Sequence, residues 1–125
     1  MEDKYVWKSI AKTFVPVGSR VTCNPPPYDT DEDWLVLDLD RSVADLLSEN
    51  GWEYGGSMQS EDTFGSYKLD DVNVICAFTK DEYDHFKLAT DVCQHLNLLN
   101  KDDRIVLFEA IMYRRNWTDF SEVTQ

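Results

Sequence analysis

The chain has 125 residues, of which 42% are hydrophobic and 13% aromatic, the size of one domain and enough apolar material for a packed core. Twelve basic residues against twenty-four acidic ones leave a net charge of −12, a field that repels nucleic-acid backbones and suits divalent cations or a basic partner. No apolar run is long enough to span a membrane, the charged start Met1-Glu2-Asp3-Lys4 leads into no secretory signal, and Cys23, Cys76 and Cys93 lack the spacing of a disulfide framework or a zinc site.

In chain order, residues 3–14 read as a helix, because Val6 and Ile10 are four apart and Trp7, Ala11 and Phe14 follow the same period. Residues 13–17 make a short β-like run that Gly18-Ser19 breaks. Residues 20–30 contain Pro25-Pro26-Pro27 and read as a stiff, polyproline-like loop. Residues 33–39 are strand-like. Ser42, with Asp45 three residues on, then resembles a capping box, and Asn50-Gly51 closes that helix.

Residues 55–63 are polar and glycine-containing, so a loop is expected. Residues 64–69 and 72–78 read as a hairpin turning at Asp70-Asp71. Phe86, Ala89, Cys93 and Leu96 recur at helical spacing, with Val92 and Leu99 widening the stripe, and predict a helix over residues 81–99. Asn100 can cap a last helix over 101–115 whose apolar face holds Ile105, Phe108, Ile111 and Met112. The sum is an α+β domain over residues 1–115, a mixed sheet of about four strands packed against helices, with a tail at 116–125.

Charge is not spread evenly along these elements. Residues 1–28 carry +2, residues 29–84 carry −13 and residues 85–125 carry −1. The acid-rich middle contains the pattern that bears on chemistry. A short strand ends in Gly18-Ser19-Arg20, and Asp31-Glu32-Asp33 opens the next. Alternation along a strand puts Asp31 and Asp33 on one face, with Cα atoms roughly 7 Å apart, so both can reach hard cations. Magnesium takes one or two carboxylates together with phosphate oxygens and water. Gly18 lets a phosphate approach the backbone, Ser19 offers a hydroxyl and an N–H, and Arg20 a bidentate contact.

The Gly-Ser turn followed by Asp-x-Asp resembles the signature of the polymerase-β-like nucleotidyltransferase superfamily. The run from Gly18 to Pro26, then Thr30 to Asp33, looks most like that of small bacteriophage-encoded nucleotidyltransferase-like proteins. Residues 72–75, and the segment from Leu96 through Lys101, Asp103 and Arg104 to Phe108, are similar to that group as well. The resemblance implies a mixed sheet backed by helices and a nucleoside triphosphate (NTP) bound with Mg2+ or Mn2+. It implies Asp31 and Asp33 as metal ligands and catalytic residues, with Gly18, Ser19 and Arg20 on the nucleotide. The family's third carboxylate falls at Asn73, an amide that is a poorer magnesium ligand and no general base. Asp71 could compensate from two residues earlier.

Three functions follow for comparison. The first is a magnesium-dependent transferase that passes a nucleotidyl group to an unidentified acceptor, with a homo-oligomer or partner protein supplying the acceptor's place. The second is a catalytically inactive module of the same fold that senses nucleotide or inhibits a host protein. The third is an acidic decoy that mimics DNA through residues 29–84. A cytoplasmic setting, the host cytoplasm for a phage protein, suits all three, with neither a membrane nor strong double-stranded nucleic-acid binding expected. The plainer readings are that His85 and His95 are ordinary helix-surface residues, that the cysteines are buried fillers, that Trp7, Trp34, Trp52 and Trp117 pack the core or its rim, and that Arg114-Arg115 complements a helix terminus.

Overall fold

The computed structural model describes residues 4–24, 31–56 and 63–112. Its strands are β1 (Phe14–Val17), β2 (Glu32–Leu37), β3 (Glu53–Gly56), β4 (Phe64–Leu69) and β5 (Val72–Ala77). They form one sheet in the order β1-β2-β5-β4-β3. The helices are α1 (Ser19–Thr22), α2 (Ser42–Glu49), α3 (Lys80–Leu96) and α4 (Lys101–Met112). The expected mixed α+β class is the one observed.

Strand alternation divides the apolar residues between two faces. On one face Val36, Val72, Val74 and Cys76 pack with Trp7 and with Val43, Ala44 and Leu47 of α2. On the other, Val17, Leu35, Phe64 and Ala77 pack with Tyr83 and Phe86 of α3 and Met112 of α4. The central pair β2–β5 is parallel, whereas β1–β2, β4–β5 and β3–β4 are antiparallel. The parallel pair needs a crossover, and the α2–β3–β4 segment provides it.

The hairpin forms where the sequence placed it. Leu69 pairs with Val72, and Asp70 takes the left-handed conformation (φ 53°) that the two-residue turn requires. The long amphipathic helix is α3. Its Phe86, Ala89 and Cys93 are buried, but it ends at Leu96, and Leu96 and Leu99 are exposed. Thr79 caps it, its Oγ1 accepting from the Glu82 N–H at 3.2 Å. Asn97, in the left-handed region (φ 50°), closes it. Asn100 caps α4 as expected, with Oδ1 accepting from the Asp102 N–H at 2.8 Å. On α4, Met112 is buried but Ile105 is exposed, so the predicted apolar face is only partly covered.

Four expectations need correction. The N-terminal helix shrinks to a single 3-10 turn, Val6–Ser9. Trp7 inserts completely into the core, edge-on to Phe14 with ring centroids 5.2 Å apart, and its Nε1 donates to the Lys4 carbonyl. Burying that indole outweighs a helical stripe whose Ile10 would stay in water. Residues 20–22 are helical, since the short turn α1 precedes the prolines, and the prolines themselves lie outside the described residues. Residues 53–56 form an edge strand, giving five strands where about four were expected. The segment Glu53-Tyr54-Gly55-Gly56 has no apolar alternation, and only pairing with β4 makes it a strand.

The fourth correction concerns α2. Ser42 is its first helical residue rather than its cap, and the capping box does not form. Asp38, five residues before Val43, reaches over instead. Its two carboxylate oxygens accept from the Val43 and Ala44 N–H groups at 3.0 and 2.9 Å.

Candidate functional site

The site lies at the C-terminal end of strand β1, where the chain leaves the sheet at Gly18. Register does the assembly. Val17 pairs with Asp33 across β1–β2, Asp33 with Asn73 across β2–β5, and Asn73 with Lys68 across β5–β4. Directly paired residues point to the same side. Asp33, Asn73 and Lys68 therefore form a polar row on the face that α3 and α4 cover further along.

Gly18 lies tightly over this row. Its φ of 80° is in the left-handed region, and a Cβ built there would lie 2.1 Å from Oδ2 of Asp33. The position therefore demands glycine twice, once for conformation and once for space. The Gly-Ser turn and Asp33, fifteen residues after Gly18, are in direct contact through this cradle.

Asp33 is half-buried and its pKa is raised. Burial is the main cause, and the neighbouring Asp31 carboxylate adds to it. The Asn73 Nδ2–H donates to Oδ1 of Asp33 at 3.2 Å and works the other way, as do the charges of Lys68 and Arg20. Asp31 immediately precedes β2 and pairs with Lys68, whose Nζ is 2.8 Å from Oδ2. Arg20 is exposed, and its charge also favours the ionised form of Asp71. Ser19 is half-buried as the first residue of α1.

Beside the row opens a pocket of about 370 Å³, lined by Gly18, Ser19, Thr22 and Asp33 on the sheet side and by residues of α3 and α4 on the other. That volume is in the range of small-molecule sites. Its floor is apolar, with Val17, Ile75, Phe86 and Phe108, while Lys101 and Arg104 stand at the α4 side. The two walls are also tied to each other. Asn97 Oδ1 accepts from the Asn24 N–H at 2.8 Å, and its Nδ2 donates to the Asn24 carbonyl at 3.1 Å. This reciprocal amide pair ties the end of α3 to the segment that follows α1.

The residues singled out from the sequence thus fall into two groups. Gly18, Ser19 and Asp33 share one pocket, with Asn73 bonded to Asp33 and Asp31 two residues away on the same strand approach. Asp71 does not join them: it lies in the hairpin turn and its carboxylate is taken by Lys4 Nζ at 2.9 Å. Lys68 is the residue that sequence reasoning missed. The signal was present, because a two-residue turn at Asp70-Asp71 places Lys68 opposite Asn73.

The donor set is hard and oxygen-rich, which suits magnesium or manganese rather than a soft metal. Among the described residues no three His, Cys, Asp or Glu side chains converge into a complete cage. Two carboxylates beside a hydroxyl and a glycine cradle fit a cation that brings part of its own coordination, as magnesium does with phosphates.

Cys23, Cys76 and Cys93 are free, buried thiols. Burial raises the pKa of Cys93, and burial together with the nearby Asp38 carboxylate raises that of Cys76, so neither is a poised nucleophile. His85 binds the Asp81 carbonyl through Nδ1 at 2.8 Å, and His95 is exposed. Trp7 and Trp52 are core residues and Trp34 is half-buried. Arg114, Arg115 and Trp117 lie outside the described residues. No described helix is long and apolar enough to cross a membrane. Comparison with known proteins finds no matching family model, no matching curated protein and no matching solved structure.

Proposed function

We propose that this chain binds a nucleoside triphosphate together with Mg2+ or Mn2+, in the manner of a nucleotidyltransferase-like protein. The observation that carries the reading is the cradle, in which Gly18 has no room for a Cβ because the Asp33 carboxylate fills it. It brings the glycine turn and an acid to one edge of one pocket. In this reading Asp31 and Asp33 hold the cation, and the Gly18-Ser19 turn and Arg20 hold phosphate oxygens. The bound cation supplies charge neutralisation of the triphosphate. The apolar pocket floor receives an uncharged part of the ligand.

Asn73 favours a second reading, in which nucleotide is bound and not transferred. Its amide donates to Oδ1 of Asp33, where a carboxylate would help to activate an incoming hydroxyl. Asp71 does not replace it, being held by Lys4. A protein of this second kind senses nucleotide or presents a nucleotide-dependent surface to a partner.

Calorimetric titration of each NTP, with and without magnesium, tests the proposal. Binding that needs magnesium and disappears in the Asp31→Ala/Asp33→Ala variant is the expected result. A melting temperature raised by Mg·NTP in wild type alone should accompany it, by about 2.7 kcal/mol of added stability at a hundredfold excess over Kd. No heat and no shift with any nucleotide overturns the proposal. Mass spectrometry of the protein and of candidate acceptors then separates the two readings, since only the transferase leaves a nucleotidyl adduct.

A further inference from the structure

We infer that Lys68 is the resident counter-ion of the carboxylate pair, and that an incoming divalent cation must take Asp31 from it. The inference rests on the metal–nucleotide reading of the site and adds how that site is regulated.

Three observations carry it. Lys68 stands in the polar row by register, opposite Asn73, which is itself opposite Asp33. Its ammonium contacts Asp31 directly, at 2.8 Å from Oδ2. Both side chains keep nearly half of their surface in water, 47% for Lys68 and 45% for Asp31. An ion pair of that exposure is weak and exchanges readily. It can therefore yield to a doubly charged competitor, which a buried pair would resist.

Charge decides when it yields. Asn73 contributes none, so two carboxylates face the ammonium of Lys68, with Arg20 close enough to influence Asp33. Glu53 also acts on Lys68, but a bare divalent ion entering the row still meets repulsion from two cations. A cation arriving with a triphosphate brings negative charge that offsets both. The lysine thereby makes the site selective for the metal–nucleotide complex over the free metal.

The test is Mn2+ binding, followed by the loss of the free-ion signal in electron paramagnetic resonance, with no nucleotide present. Lys68→Met keeps most of the length of the side chain and removes its charge. It should bind Mn2+ about tenfold more tightly than wild type, as expected for removing a unit charge a few ångströms from a divalent ion in a partly solvated site. Lys68→Arg should bind as weakly as wild type, and Asp33→Asn should cancel the gain in the Lys68→Met background. Circular dichroism melting checks the fold of each variant, with Lys68→Gln as a second charge-neutral replacement.

A gain of less than threefold in both neutral variants overturns the inference. A parallel titration of Mn2+ with a non-hydrolysable ATP analogue then tells the two failures apart. Binding of that complex to wild type leaves the nucleotide site standing without the role for Lys68. Its absence from every variant removes the site as well.

Discussion

Strand β2 carries an acid at each end, and the two have opposite fates. Asp38, just past the C-terminal end, is 2% exposed. Both of its oxygens accept backbone N–H groups from the start of α2. Asp33, near the N-terminal end, faces the other side of the sheet. One of its oxygens accepts from Asn73, and the other lies under Gly18 at the mouth of a pocket. Burial raises the pKa of both. The difference is where the negative charge is directed. Asp38 satisfies groups that α2 would otherwise leave orphaned, so it is a structural acid. Asp33 lines a pocket, with one oxygen on the Asn73 amide and the other against Gly18.

The comparison sharpens most at Asp38. Asp38→Ala should cost about 3 kcal/mol in urea unfolding, because it strips two charge-assisted bonds from buried N–H groups. A loss below 1 kcal/mol would mean that water reaches the N-terminus of α2 and that Asp38 is not its cap.

Gly18→Ala comes next. It should cost about 2 kcal/mol through strain at positive φ and should push Asp33 out of position. Mg·NTP binding should therefore fall further than stability does. A variant with wild-type stability and wild-type binding would show that the cradle is looser than its geometry.

The smallest effect has the opposite sign. Asp33→Asn should raise the melting temperature of the metal-free protein at neutral pH by ~2 °C, small because solvent reaches the carboxylate. The sign follows from linkage. A carboxylate with a raised folded-state pKa binds its proton more tightly in the folded state, so stability falls as pH rises from the ordinary value of 3.8 through the raised one. The advantage of the variant should thus vanish below that ordinary value and level off above the raised one. An advantage that does not change with pH would mean that charge is not its cause.

Much of this was legible in the residues. Alternation put Asp31 and Asp33 on one side, and the two-residue turn at Asp70-Asp71 fixed the hairpin and with it the facing of Lys68 and Asn73. The stripe of Phe86, Ala89 and Cys93 found the buried side of α3, and Asn100 marked the start of α4. These features are local: a few neighbouring residues contain the whole cause, whether it is a period, a turn or a cap.

What the sequence by itself determined, then, is the class of fold, most of its elements and the identity of the acids and of the glycine turn. The tertiary structure alone decided which of them meet. Asp33 lies beside Asn73 because β2 and β5 pair in parallel across an intervening helix and two strands. Edge pairing made β3 a strand without apolar alternation, and the core claimed Trp7 from a would-be helix. Asp38 became a cap only when α2 folded back over it. Apart from the Asp38 cap, which spans only five and six residues, each of these depends on contacts between residues distant in sequence, whose strength comes from burial and register that no local window contains.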